Sequence, residues 1–315
     1  MSERRGAAPQ SATSEEAQIA VPRAHVVLWA AILGALLGLG ILFADAASWD
    51  GDDFDLANEG PFLLWAAAIA AQTTAWVLVF PAIRSISRHW RSPARAHSLE
   101  VRAATGALLF LGVAISVLPP LIGDLPETVP HRGLKMAVLN LTAFALAIYA
   151  ARAMWYAAAE SRALGRGGAA DLGALLHHRR LRADLELLLA ILGLLVTLAV
   201  IASAALRALT EHVDPNEALP AQSVILYGLI LSLVLALVYV PAYLTMLRCG
   251  QTLRDRVAPL VPLDDDGFED RLDWRDRLGA FLGLDVAATA SFRTGVAILS
   301  PLLGSLTSLL PALGG

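Results

Sequence analysis

Uncharged apolar runs alternate along this chain with short charged connections. Two of them stand back to back: Leu187 to Leu206 and Ser223 to Met246, joined by the polar stretch Thr210 to Gln222. Each is long enough to cross the hydrocarbon of a bilayer as a helix, which takes about 20 residues. Together they predict a membrane hairpin. Earlier runs repeat the pattern at His25 to Ala47, Phe62 to Ile83, Ala103 to Ile122 and Leu134 to Tyr156. The expected fold is therefore an all-α integral membrane protein, a six-transmembrane-helix bundle made of three hairpins.

Composition agrees with that pattern. Hydrophobic residues make up 57% of the 315 residues and charged ones 17%, more apolar surface than a soluble core of this size requires. Lys135 is the only lysine, so nearly all cationic charge is arginine. With the alanine excess, this is the association of a GC-rich bacterial genome, and it suggests a bacterial cytoplasmic membrane. One cysteine, Cys249, excludes an intramolecular disulfide and any cysteine-cluster metal site.

The distribution of arginine sets the expected orientation. The connection Arg84 to Arg102 carries five arginines, and Arg152 to Asp184 carries six. The first loop on the other side holds Asp45, Asp50, Asp52, Asp53, Asp55 and Glu59 with no cation. The positive-inside rule then places both termini in the cytoplasm. Residues 1–22, polar and without apolar period, read as a disordered cytoplasmic tail, and 23–247 as the bundle. A cleaved signal peptide is the rival at the N-terminus, since Ala44-Asp45-Ala46 resembles a peptidase site, but the n-region and the apolar run are both too long.

Beyond the bundle, 248–285 is a charged cytoplasmic segment. Asp264-Asp265-Asp266-Gly267 invites a calcium-loop reading, which fails because Pro262 would be the first ligand. A helix start fits better: Asp266 caps, Glu269 reaches back, and Phe268, Leu272, Leu278 and Leu282 share one face. The last segment, 286–315, is apolar and amphipathic. Its leucines cover one side, while Ser300, Gly304 and Thr307 gather on the other with Pro301 inside. Three placements stay open: a cytoplasmic or interfacial packing helix, a re-entrant segment, or a seventh span.

Few residues carry candidate chemistry. No ionisable group lies at mid-span; Lys135, Arg152, Glu186 and Arg207 sit at helix ends, where long side chains reach water. The mid-span polar residues are Gln72, Thr73 and Thr74 in the second run and Asn140 and Thr142 in the fourth. Such groups join helices or line a pore, and joining is the commoner role. Small-residue ladders at Ala30, Gly34 and Gly38, and at Gly228, Ser232 and Ala236, suit close helix approach within a bundle or between copies. Asp50, Asp52, Asp53 and Asp55 form an outer loop that would attract cations or merely reinforce topology. Cys249 follows the sixth run, where palmitoylation is an option and a free thiol the default.

No nucleic-acid motif, phosphate-cradling glycine loop or catalytic triad is present, so neither a cofactor nor an enzymatic role is expected. Two functional classes remain. One is a homo-oligomeric pore or channel-like effector using the polar faces or the terminal segment. The other is a membrane-anchored sensor or scaffold that docks a cytoplasmic protein through its tail and arginine-rich loops. The lipid bilayer is a partner in both.

Overall fold

The structure is a computed structural model that describes residues 24–49, 55–91, 98–122, 131–167, 170–215, 219–259 and 268–284. Among these residues every regular element is helical: α1 (Ala24–Leu42), a 3₁₀ turn at Ala46–Ser48, α2 (Gly60–Arg91), α3 (Ser98–Ile122), α4 (Arg132–Arg166), α5 (Leu172–Val213), α6 (Ala221–Val257) and α7 (Phe268–Leu282). In hydrocarbon a backbone must satisfy its own hydrogen bonds, and a helix does so within one segment. Five helices (α1, α2, α4, α5 and α6) are long and apolar enough to cross a membrane, and the chain folds as an all-α multi-pass membrane protein. The expected third span, Ala103 to Ile122, falls within α3, which has 25 residues, and is not among these five.

The helices alternate in direction, so contacts sort into two ends. Asp45 meets Lys135 and Glu59 meets His212 at the acidic end; Trp90 meets Asp184 and Arg256 meets Gly165 at the arginine-rich end. Between them α2, α4, α5 and α6 enclose a core that includes Trp65, Ile69, Met154, Leu185, Leu188 and Tyr239. Large apolar side chains also face outward along the spans, Phe110 at 77% exposure and Leu237 at 65% among them. A soluble protein would lose stability by such exposure, whereas lipid removes its cost.

α1 is apolar on all sides and attaches to α2 by one edge, where Gly34 and Gly38 are buried. A Cβ at Gly34 would lie 2.4 Å from the Thr74 Cα, and one at Gly38 would lie 2.4 Å from the Thr73 Oγ1. The two backbones meet there at a distance only glycine permits. The second ladder is also used inside the subunit, with Gly228 and Ser232 buried.

At the arginine-rich end the helices overshoot the bilayer. α5 has 42 residues, which at 1.5 Å per residue is about 63 Å, against about 30 Å of hydrocarbon. The expected connections Arg84 to Arg102 and Arg152 to Asp184 are largely helix, and the break between α4 and α5 is confined to 167–171. Alanine-rich sequence such as Ala157-Ala158-Ala159 carries α4 onward past its apolar run. Asp171 then starts α5 by accepting the Ala174 N–H at 2.8 Å.

α7 begins at Phe268, where the sequence predicts a helix start, while the capping Asp266 lies outside the described residues. Its expected apolar face is only partly used. Leu278 and Leu282 are buried, but Leu272 is exposed, because the apolar burial of α7 is confined to its C-terminal part. Asp50, Asp52 and Asp53, and the whole of 286–315 with Ser300, Gly304 and Thr307, lie outside the described residues.

Candidate functional site

The mid-span polar residues are spread over several helix contacts. Gln72 and Thr73 are buried in α2. Thr73 Oγ1 donates to the Ile69 carbonyl of its own helix at 2.9 Å, and Thr74 Oγ1 donates across to the Ala31 carbonyl of α1 at 3.2 Å. Thr142, on an exposed face of α4, donates back to the Val138 carbonyl at 2.8 Å. Asn140 accepts from the Tyr227 hydroxyl of α6 at 3.4 Å, a long bond. Asn140→Leu is therefore expected to cost only about 0.5 kcal/mol, the lower part of the range for interhelical bonds in membranes. Thermal unfolding in detergent measures it; a loss several times larger would mean that Asn140 has a role beyond this contact.

An open groove of about 440 Å³ runs between α3, α4, α5 and α6, lined by Leu108, Phe144, Leu192, Val196, Leu231 and Val238 among others, all apolar. Neither Asn140 nor Gln72 reaches it.

The acidic end holds a buried ion pair. Lys135 Nζ lies 2.6 Å from Asp45 Oδ1 and sits over the Trp49 ring, 5.2 Å from its centroid. Trp49 Nε1 donates to the same carboxylate oxygen at 3.2 Å. Phe43, Phe62 and Trp65 extend this aromatic wall. The expectation that Lys135 reaches water is corrected: its side chain is 5% exposed, because Asp45 and the aromatic wall offer it a partner inside. Burial acts to raise the Asp45 carboxyl, but the hydrogen bond and charge of Lys135 outweigh it and hold the group below the ordinary value. Asp55 is exposed and forms no part of this site.

The arginine-rich end is the most elaborate polar assembly among the described residues. Helix C-termini leave carbonyls without intrahelical partners, and the macrodipole there favours cations. Three arginines answer that need on neighbouring helices. Arg256 of α6 donates to the Gly165 carbonyl at 2.7 Å and to that of Gly167, closing α4. Arg275 of α7 donates to the Ala258 carbonyl at 2.7 Å, closing α6, and pairs with Asp255. Arg182 of α5 donates to the Leu282 carbonyl at 3.2 Å and to that of Gly283, closing α7. Gly283 has φ +68°, a left-handed helix stop that favours glycine.

No family model matches this chain, and no curated protein or solved structure is significantly similar to it. What the site does must be read from its own chemistry.

Beside the guanidinium caps, Trp90 Nε1 of α2 donates to Asp184 Oδ2 of α5 at 2.8 Å. The Trp90 ring stacks edge-on between His89 and His177, and His177 lies 3.3 Å from Glu160 of α4. Burial raises the Asp184 carboxyl, with the Trp90 bond and Arg180 opposing it only in part. Cys249 is buried beside Gly165 of α4, and His178 is buried beside Gly250 of α6. Arithmetic of charge could not have found these caps. Each cap uses the arginine fork, which can bond two carbonyls at once, as Arg256 and Arg182 do.

His178 is 1% exposed. Burial, then the charges of Arg182 and His177, push its imidazole down to about 4. A loosened state, with the group near its ordinary 6.5, takes up the proton first. The docked state is thus fully favoured above about pH 6.5 and loses up to about 3 kcal/mol as pH falls from there toward 4. Melting in detergent between pH 7.5 and 5 tests this. His178→Leu should flatten the slope, and an unchanged slope would assign the acid sensitivity elsewhere.

Proposed function

We propose that the chain is a membrane-anchored sensor or scaffold whose arginine-rich end faces the cytoplasm and docks a cytoplasmic protein partner. The observation that carries this reading is the overshoot of α2, α4, α5 and α6: guanidinium caps tie α4, α5, α6 and α7 into one layer, and the Trp90–Asp184 bond joins α2 to it. A protein that only crosses lipid has no use for such a layer. The positive-inside asymmetry supports its cytoplasmic placement. Both small-residue ladders are taken up inside the subunit, and the groove between the spans has an apolar lining, so neither feature favours a homo-oligomeric pore.

Two measurements on the full chain separate the readings. A photo-crosslinking residue at Trp274, exposed on α7, should give a discrete adduct with a cytoplasmic protein, whereas one at the lipid-facing Leu237 should not. In liposomes the purified protein should carry no more ion flux than empty vesicles. Flux that depends on the protein, with no adduct at Trp274, would instead support the pore.

A further inference from the structure

Resting on that reading, the geometry points to α7 as a replaceable occupant of the docking face itself: a strap seated on α5 and α6 that a partner helix displaces. Its seat is a separate apolar cluster, Ala174, Leu175, Cys249, Leu253 and Ala258, covered by Leu278 and Leu282. The seat is shaped for a helix end. Gly250 lets α6 come close: a Cβ there would lie 2.7 Å from the Leu284 side chain and 2.8 Å from His178 Nε2.

The attachment is narrow. Leu278, Gly279 and Leu282 are the buried residues of α7, while Leu272 and Trp274 are exposed. Elements with few buried apolar contacts open before the rest of a fold. What fixes α7 in register is Arg182, whose guanidinium closes its last carbonyls beside the Gly283 turn, with Arg179 stacked over Phe281 and Arg275 tied to Ala258. Arg182 also pairs with Glu186 at 2.9 Å on its own helix, and with α7 gone its guanidinium would be available to the next helix end. The partner chemistry follows: an amphipathic helix with leucines four residues apart, as Leu278 and Leu282 are, that ends in a Gly-Leu turn.

The reporter is Ala258→Cys in a Cys249→Ser background, because Ala258 is buried in the seat and its carbonyl is held by Arg275 of α7. Full-length protein in detergent is treated with a soluble maleimide, and labelling at position 258 is followed. Arg182→Ala should raise the rate at least tenfold, as should Leu282→Ala, which loosens the seat without altering charge; Arg84→Ala, remote on α2, should leave it unchanged. Adding a synthetic peptide of residues 268–284 should slow the Leu282→Ala reaction again, since Arg182 is intact there to close the peptide's end, and the same peptide with both leucines changed to aspartate should not. If both loosening variants label at the wild-type rate, or if labelling occurs only where the spans unfold, α7 is a fixed part of the fold. A native peptide without effect would show that the seat takes no helix in trans. Either result sinks this inference, while the adduct at Trp274 tests the docking reading separately.

Discussion

Gly34→Leu is expected to detach α1 from the bundle. The new Cβ would lie 2.4 Å from the Thr74 Cα and 2.9 Å from the Thr73 carbonyl oxygen, and these are backbone atoms that no rotamer change removes. The helices must separate, which also takes Thr74 out of reach of the Ala31 carbonyl. Overpacking a close-packed contact costs roughly 1–3 kcal/mol, and a clash with backbone stands at or above the upper figure. The matched control is Gly40→Ala, where a Cβ meets nothing within 4 Å and the change should stay within about 0.5 kcal/mol. Unfolding in detergent followed by Trp29, exposed on α1, reads both variants. Equal stability for the two would mean that α1 does not pack by its glycine edge.

The second large effect is expected from Lys135→Met. It leaves the Asp45 carboxylate beside the aromatic wall without the cation that holds it charged. Removing one partner of a buried pair costs about 3–5 kcal/mol, and because Asp45 is 17% exposed the lower end applies. Replacing both, as Asp45→Leu with Lys135→Met, should recover most of the loss, since matched apolar groups need no partner. A double variant no better than Lys135→Met alone would show that the pair acts through something other than charge compensation.

Five of the six expected runs fall on helices long and apolar enough to span, and these were legible because length and the absence of charge are local properties. So were the alternation of acidic and arginine-rich ends and the glycine ladder of α1, whose spacing is a one-dimensional pattern. What lay between the elements was not. Arg152 to Asp184 reads as a charged connection when charge is taken to mean loop, yet Arg162, Glu160 and His177 stand on helices that run on beyond the lipid. Nor could spacing show that Lys135 turns toward Asp45, 90 positions earlier, rather than toward water. The guanidinium caps were hidden for the same reason: each joins one helix's side chain to another's terminal carbonyl, and nothing local marks the pair. The face of α7 was misjudged at Leu272 because an apolar period tells which residues align, not how much of the helix finds a partner.

The proposed orientation puts the arginine-rich layer of this multi-pass fold in the cytoplasm. Its most direct test uses single cysteines in a Cys249→Ser background and a membrane-impermeant maleimide on intact cells. Asp55→Cys, exposed at the acidic end, should label at once, and Trp274→Cys on α7 only after the membrane is permeabilised. Labelling of Trp274→Cys in intact cells, with Asp55→Cys protected until permeabilisation, would contradict the account.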